Sequence, residues 1–426
     1  MNELNKKMIG LMLITILLGA LVLCIVLPDK EFSEQENRKL EAFPSLNVDT
    51  IIDGSFMQEF EQYSSDHVVG RDFWMKLKNS VDRSFGKHDN GSAYWGKHGY
   101  LFPIEYIDEI QLEKNLTYIY DFSERAHQLG VKNTCIMPVP TSQEILSDFM
   151  PDGAERLDQQ QVIERTKSEL ESSIDVIDVS DALKSVKDSK YIYYKTDHHW
   201  TQLGAYYSYK VWADANKVQP IDERRMNMQL LSEEFYGTTY SKIPTFNLNP
   251  DAMYTYRTRT MNEVVMEIDK YGLGFENAKV NNGTIEVADM FDEQYLKVKD
   301  KYAYFLSNNH PLIHLYRMEG GLEKAREQLA TSTDLESELD AEAKVEVEKK
   351  VAENEKESLL IIKDSYANCF IPFLTEHYDD IYVVDLRYYK KSVLALIEEY
   401  QIDELMFLYN AVQLANDRNL VFLKAE

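Results

Sequence analysis

Apolar and polar residues along this chain repeat first with a helical period and then with the shorter period of strands. Residues 55–85 carry apolar side chains at helical spacing on both sides of Gly70, which predicts two amphipathic helices. Next, YWGKHGYLFP (94–103) places Gly96 and Gly99 around a turn between aromatic strand formers, which predicts a hairpin. The chain therefore begins its folded part with helices and one hairpin.

Strands and helices then alternate. The pattern predicts helices over 113–129 and 157–172, a helix beginning near residue 200, and strands over 131–140, 173–180, 301–307, 358–364, 380–386 and 404–410. Helical stretches separate the last three strands at the spacing of βαβ units. The predicted fold class is therefore α/β, with a parallel central sheet and helices on its faces.

An uncharged apolar run at residues 8–27 has the length that crosses the hydrocarbon core of a bilayer. Lys6 and Lys7 precede it, which predicts a cytoplasmic N-terminus and an extracellular remainder. A cleaved signal peptide is the alternative, but no small-residue cleavage site follows the run, and Leu23 stands before Cys24 where a lipoprotein needs a small residue. We therefore expect one uncleaved transmembrane helix in the cell membrane.

With 426 residues the chain exceeds one small domain. We expect residues 1–29 to form the cytoplasmic N-terminus and anchor, 30–90 a helical lead-in region, and 91–426 an α/β domain. Within that domain, residues 322–357 are highly charged and lack aromatic side chains, which predicts a solvated insertion.

The formal net charge of −26 limits the kinds of partner that this protein can bind. Such an acidic surface repels phosphate backbones, which excludes nucleic acid as a partner, and a neutral glycan is easier to bind than an anionic one. Cys135 and Cys369 could pair in an oxidising compartment or remain buried thiols.

A serine stands where a buried strand ends, in LLIIKDSYANCFIPFL (359–374). The end of a parallel strand would expose the Ser365 hydroxyl as a nucleophile and direct the amides of the next helix towards an oxyanion. Serine is also a common helix N-cap, so local sequence leaves both roles open.

A second cluster, TDHHW (196–200), contains Asp197, His198 and His199. A zinc site needs three or four suitably spaced ligands, and Gln202 and Leu203 stand one helical turn further on, so zinc is poorly supported. A general base instead needs one imidazole oriented by a carboxylate, and residues two apart in an extended segment point the same way. A polar turn without chemistry is the third interpretation.

The sequence resembles the DHHW family of bacterial cell-surface proteins, which is similar to the alginate O-acetylation proteins of the AlgJ and AlgX type in the SGNH hydrolase-like superfamily. The matching segments are SEQENRKLEAFP (33–44), SSDHVVGRD (64–72), YWGKHGYLF (94–102), TDHHW (196–200) with GAYY (204–207), FYGTTYSK (235–242), KYAYFLSNNHP (301–311), IIKDSYAN (361–368) and VVDLRYY (383–389). The resemblance implies a three-layer SGNH hydrolase-like fold.

The resemblance also implies a catalytic triad. Ser365 would be the nucleophile, His199 the base and Asp197 the residue that orients His199, with no metal and no cofactor. Asn309 becomes a candidate oxyanion-hole donor or a turn residue, and Asn308 departs from the glycine expected beside it.

The function implied is that of a membrane-anchored extracytoplasmic O-acetyltransferase, or its accessory, which acetylates an exported cell-surface polysaccharide through an acetyl-serine. A membrane-bound O-acyltransferase would supply the acetyl groups. A carbohydrate acetylesterase and a non-catalytic polysaccharide-binding or assembly protein are the alternatives. The family-like motifs leave the roles of Arg71, Arg387 and Tyr388 open.

Overall fold

The computed structural model describes residues 3–33, 35–36, 38–275, 285–317 and 358–425. The helices in these ranges are α1 Glu3–Val26, α2 Val48–Ile52, α3 Ser55–Asp66, α4 Arg71–Ser84, α5 Glu109–Gln128, α6 Ser142–Ile145, α7 Gln159–Leu170, α8 Ser180–Val186, α9 Gln202–Ala215, α10 Thr238–Lys242, α11 Ile371–Leu374, α12 Val393–Tyr400 and α13 Ala411–Asn416. Among the residues described, no helix combines the length and apolarity that a membrane crossing requires. The anchor at residues 8–27 therefore stays a prediction.

The strands are β1 Phe32–Ser33, β2 Arg38–Lys39, β3 Ala93–Trp95, β4 Leu101–Pro103, β5 Asn133–Val139, β6 Asp175–Val176, β7 Asn227–Phe235, β8 Asp251–Arg257, β9 Val265–Asp269, β10 Ile285–Ala288, β11 Leu312–Tyr316, β12 Ser358–Lys363, β13 Asp380–Val384 and β14 Glu404–Asn410. The predicted helices on both sides of Gly70 are α3 and α4, and the predicted hairpin is β3 with β4. The predicted insertion at 322–357 lies outside the described residues.

An eight-stranded sheet with the order β10-β9-β11-β13-β12-β14-β5-β6 forms the centre of the fold. The run from β13 to β6 is parallel, as predicted. The predicted parallel central sheet is confirmed only in part, because β11 pairs antiparallel with both β13 and β9, and β9 pairs antiparallel with β10. Strand direction follows from the path of the connections, and a buried apolar run has the same sequence pattern in either direction.

Helices cover both faces of this sheet. Alternate side chains of β12 point to opposite faces: Leu359 and Ile361 pack into one core with α9, and Leu360 and Ile362 pack into a second core with α5 and α12. The buried aromatic residues of α9 fill the first core. The result is a three-layer α/β arrangement with all six residues of β12 buried.

The predicted strand over 301–307 is also wrong. Residues Lys301–Tyr304 form a 3-10 helix, and Leu306, Ser307 and Asn308 follow with positive φ angles of 56°, 51° and 87°. Residues 302–306 are all buried. A short buried apolar run has the same sequence pattern in a strand and in a short helix, so hydrophobic periodicity alone does not distinguish the two. The strand of this region, β11, begins only after the turn.

Candidate active site

The turn after β12 holds Ser365 at the carboxyl end of the parallel strands. The Asp364 carboxylate accepts hydrogen bonds from the Tyr366 amide (2.8 Å) and from the amide and side chain of Asn410 (2.9 and 2.7 Å). Asp364 is thus the N-cap of the 3-10 helix Ser365–Cys369. Ser365 is the first residue of that helix, so the interpretation of Ser365 as a cap is wrong.

A second buried turn, just before α9, carries the histidines. Its backbone is fixed by Asp251, whose carboxylate accepts from the amides of Lys195 (2.9 Å) and Thr196 (2.8 Å). The Trp200 Nε1–H donates to the Tyr366 carbonyl oxygen (2.9 Å). This last bond connects the histidine turn directly to the residue after Ser365.

Asp197, His199 and Ser365 form one chain of hydrogen bonds. His199 Nδ1 lies 2.5 Å from Asp197 Oδ1, and His199 Nε2 lies 2.8 Å from Ser365 Oγ. Asp197 and His199 are only 2% and 5% exposed, whereas Ser365 is partly exposed. The arrangement allows Ser365 to lose its proton to Nε2 while a carboxylate accepts from Nδ1–H, which is the geometry of an activated nucleophile.

The second oxygen of Asp197 is bound by Thr238, which begins α10. Asp197 Oδ2 accepts from the Thr238 amide (2.7 Å) and from its hydroxyl (3.0 Å). Burial alone would raise the pKa of Asp197, but His199, His198 and these hydrogen bonds outweigh it and hold the pKa below its usual range. A side chain on Gly237 would stand 2.2 Å from the Asp197 Cβ, so only glycine allows this approach.

The His198 ring lies beside that of His199, with centroids 3.8 Å apart, but it binds a different partner. Its Nδ1 lies 2.6 Å from Thr238 Oγ1, and because that hydroxyl donates to Asp197, we assign the hydrogen to His198 Nδ1. Burial, followed by the nearby His199, lowers the pKa of His198 to about 3, which keeps the ring neutral. His198 therefore supports the turn that positions Asp197.

The side chains of Asp197, His198 and His199 bring their ligand atoms within 4.8 Å of one another, which is close enough to share a cation. Three of the four imidazole nitrogens already have partners, because His199 Nδ1, His199 Nε2 and His198 Nδ1 are each hydrogen-bonded, and both Asp197 oxygens are hydrogen-bonded as well. A metal here would have to displace Ser365 or Thr238 from these atoms. Hydrogen bonding accounts for the cluster without a cation.

Hydrogen bonds from Lys363 and Asn368 connect Asn309 to the segment that contains Ser365. Asn309 Oδ1 accepts from Lys363 Nζ (2.7 Å) and Asn368 Nδ2 (3.2 Å), which leaves the Nδ2 hydrogens of Asn309 without a hydrogen-bond partner in the described part of the chain. Burial lowers the pKa of Lys363 to about 8, although Asp385 opposes this change. The orientation of the Asn309 amide is thus set by a buried lysine, and its donor side is available.

The turn before Asn309 is strained. Asn308 has a φ of 87°, a conformation that favours glycine, and asparagine tolerates it because its side chain can bond locally. Asn308 Oδ1 accepts from the Asn309 amide (2.8 Å), and His310 Nε2 lies 2.6 Å from the Ser307 carbonyl oxygen. Asparagine therefore replaces the expected glycine without loss of the turn.

Ser365 opens into a cleft of about 350 Å³. Its walls are Ile104, Glu105, Tyr106, His198, Thr238, Lys242, Asp364, Arg387, Asn410, Val412, Gln413 and Asn416. Of the three residues whose roles the sequence left open, Arg387 lines this cleft and donates to both oxygens of Asp385 (2.8 and 2.5 Å). Arg71 instead binds Glu36 (2.7 Å), which connects the segment after β1 to α4.

Several residues that shape the site carry no recognisable sequence signal. Thr238 lies within a family-like segment, but nothing in that segment shows that its hydroxyl binds Asp197. Asp251 begins a strand that sequence periodicity did not predict. Tyr302 stacks on His199 from a segment that was predicted to be a strand. Their roles follow from contacts between distant parts of the chain.

Comparison with known proteins shows similarity to one family over part of the chain. Residues 94–265 match the family model described as an SGNH hydrolase-like domain, acetyltransferase AlgX. Over these residues the chain is similar to an AlgX-type SGNH hydrolase-like domain. The matched range includes Asp197 and His199 and ends before Ser365. No curated protein shows significant sequence similarity to the chain.

Solved structures of a DHHW family protein and of PatB1 share the fold of this chain. A DHHW family protein from Eubacterium siraeum has a TM-score of 0.58 at 19% identity, covering 78% of this chain and 98% of the other. Bacillus cereus PatB1 with a sulfonyl adduct has a TM-score of 0.56 at 18% identity, covering 77% and 96%. The O-acetyltransferase domain of Pseudomonas putida AlgJ has a TM-score of 0.42 at 12% identity, covering 76% and 93%. The predicted resemblance to the DHHW and AlgX-type proteins is confirmed.

Proposed function

We propose that this protein is an O-acetyltransferase that acetylates a cell-surface polysaccharide through an acetyl-serine on Ser365. The observation that carries the proposal is the pair of contacts from Ser365 Oγ to His199 Nε2 (2.8 Å) and from His199 Nδ1 to Asp197 Oδ1 (2.5 Å). The match to the AlgX acetyltransferase model supports acetyl transfer as the reaction.

In the first step, Ser365 Oγ attacks the carbonyl carbon of an acetyl ester and its proton moves to His199 Nε2. The oxyanion that forms accepts from the Ser365 amide, which has no acceptor among the described residues, and from Asn309 Nδ2. When the donor C–O bond breaks, the leaving oxygen takes the proton from Nε2. Asp197 accepts from Nδ1–H throughout and stabilises the imidazolium.

In the second step, a sugar hydroxyl attacks the acetyl-serine carbonyl carbon and gives its proton to His199 Nε2. The bond between Ser365 Oγ and the acetyl carbon then breaks, and Oγ takes the proton back. Water in place of the sugar makes the same site an acetylesterase, so the acceptor decides between the two activities.

The proposal includes an extracytoplasmic location. The apolar run at residues 8–27 supports a single membrane anchor with the active site outside, where a membrane-bound O-acyltransferase could supply acetyl groups and the exported polysaccharide could accept them.

The test is incubation of the full chain in detergent with p-nitrophenyl acetate. We expect nitrophenol release and an acetyl adduct that peptide mass spectrometry assigns to Ser365. Ser365→Ala and His199→Ala should each lower the rate by at least about a thousandfold, as is usual for triad members. Full activity in either variant would refute the catalytic role. An acetyl-enzyme that transfers its acetyl group to no sugar would favour the esterase.

A further inference from the structure

The cleft beside Ser365 is lined by residues 104–106, which follow β4, and by the adjoining helix α13. We propose that this cleft binds a pyranose unit without a carboxylate, which stacks on Tyr106 and bonds its hydroxyls to Glu105. This inference rests on the proposed function, because it assigns the acceptor of the acetyl group. We name residues 104–106 the acceptor wall.

The acceptor wall is held rigidly by side chains from the core helices. Asn416 Nδ2 donates to the Tyr106 carbonyl oxygen (2.6 Å), and Asn416 Oδ1 accepts from the Asp108 amide (3.0 Å). The buried Gln143 donates through Nε2 to the Pro103 carbonyl oxygen (2.8 Å) and to Glu105 Oε2 (3.3 Å). A wall fixed in this way loses little freedom on binding, which favours affinity for a rigid ring.

The Tyr106 ring remains uncovered although its backbone is fixed. The residue is 65% exposed, and no aromatic ring among the described residues packs against it. An exposed aromatic face beside a nucleophile offers a flat apolar surface, which suits the C–H face of a sugar ring. Stacking there would place the hydroxyls of the sugar towards the cleft and Ser365.

The charges of the cleft favour an acceptor without carboxylates. Lys242 and Arg387 are balanced by the carboxyl groups of Glu105 and Asp364, and Arg387 is also paired with the buried Asp385. A polyuronate would therefore meet no surplus of positive charge and would place a carboxylate beside Glu105. The net charge of −26 on the whole protein also disfavours a negatively charged acceptor.

Helix α13 also offers a hydrogen-bonding group for sugar hydroxyls. The Gln413 side-chain amide makes no hydrogen bond within the described ranges: the Gln413 backbone amide donates to Asn410 Oδ1 (2.9 Å), and its carbonyl oxygen accepts from the Asp417 amide (2.8 Å). Amides and carboxylates together can both donate to and accept from sugar hydroxyls. The cleft thus combines a stacking surface with polar groups of both kinds, as in small-molecule sites generally.

The test measures the ratio of acetyl transfer to hydrolysis with p-nitrophenyl acetate as donor and the full chain in detergent. The acceptors are cellopentaose, xylopentaose and mannopentaose, with a galacturonate pentamer as the acidic probe. We expect at least one neutral pentasaccharide to be acetylated and the galacturonate to be a poor acceptor. Tyr106→Ala should lower the transfer ratio about tenfold, which is the size of one aromatic contact.

Three further variants sharpen the test. Tyr106→Phe keeps the ring and should keep the ratio, and Tyr271→Ala, which removes an equally exposed tyrosine outside the cleft, should also keep it. Glu105→Gln keeps the shape of the wall but removes its charge, so transfer to galacturonate should rise.

The outcomes separate the two proposals. If no acetyl-Ser365 forms, the proposed function itself fails, and this inference fails with it. The acceptor site is wrong, but the acetyl-enzyme is supported, if acetyl-Ser365 forms and any one of three results follows. These results are that no neutral pentasaccharide is acetylated, that galacturonate is preferred, or that Tyr106→Ala keeps the wild-type ratio.

Discussion

The His199 imidazole and the Tyr302 ring lie face to face, with centroids 3.7 Å apart and planes inclined by 8°. The Tyr302 hydroxyl lies 3.1 Å from the Ser365 carbonyl oxygen and 3.3 Å from Cys369 Sγ. One buried side chain therefore contacts both the proposed base and the turn of the proposed nucleophile. Tyr302 is a positioning residue that fixes the plane of the imidazole relative to Ser365.

Two substitutions of Tyr302 distinguish the effect of the ring stack on kcat from the effect of the hydroxyl. Tyr302→Phe keeps the ring and loses the hydroxyl contacts to the Ser365 carbonyl oxygen and Cys369 Sγ, so we expect kcat for p-nitrophenyl acetate to fall about fivefold. Tyr302→Leu removes the stack, and a displaced imidazole should lower kcat by about 10- to 100-fold with little change in KM. Steady-state kinetics measure both. Equal kcat values for the two variants would contradict a role for the stack.

Gly237 should tolerate no side chain. A Cβ there would collide with the Asp197 side chain at 2.2 Å, so Gly237→Ala should displace Asp197 and lower kcat by about a hundredfold or more. Gly86→Ala is the control: its φ of 84° adds strain, but no heavy atom lies within 4 Å of the new Cβ, so only stability should fall. Esterase rates and thermal melts distinguish the two, and an active Gly237→Ala enzyme would be the contrary result.

Asp197 should stabilise the fold in a pH-dependent way. Its pKa is lowered on folding, so its stabilisation is complete above the unfolded pKa and is lost as the pH falls towards the folded pKa. Asp197→Asn cannot accept from both His199 and Thr238 and should be less stable at pH 7. The difference in unfolding free energy should stay constant down to about pH 4 and then narrow by about 1.4 kcal/mol per pH unit. Urea titrations of both proteins measure it, and a difference that widens in acid would contradict the assignment.

The two sides of the Asn309 amide can be tested separately. Asn309→Asp keeps an oxygen for Lys363 Nζ but has no N–H, and Asn309→Ala has neither. If Nδ2–H stabilises the oxyanion, both variants should lose about 10²- to 10³-fold in kcat. If Asn309 only supports the turn, the aspartate variant should stay active, and that result would remove Asn309 from the mechanism.

Chelators should leave the reaction unchanged. The hydrogen bonds of Asp197, His198 and His199 account for the cluster, so dialysis against EDTA should not alter the rate of p-nitrophenyl acetate hydrolysis. Excess zinc should instead inhibit, because it competes for the imidazole nitrogens. Activity that is lost with EDTA and restored by zinc would establish a metal site.

The sequence by itself determined the elements with strong periods and the residue types of the site. Three features of the site are local: the apolar run of β12, the turn at Ser365 and the spacing of two residues between Asp197 and His199. Local features can be predicted from residues that are adjacent in the sequence. The family-like segments added the pairing of Ser365 with His199, although 166 residues separate them.

Only the tertiary structure decided the features that depend on distant contacts. The direction of β11 follows from the path of the chain, and packing rather than period made residues Lys301–Tyr304 a 3-10 helix that is followed by a turn. The stack of Tyr302 on His199 and the approach of Gly237 to Asp197 likewise join segments whose separation in sequence carries no pattern. Local periodicity encodes which residues are buried, whereas the partner of each buried residue is set by the fold as a whole.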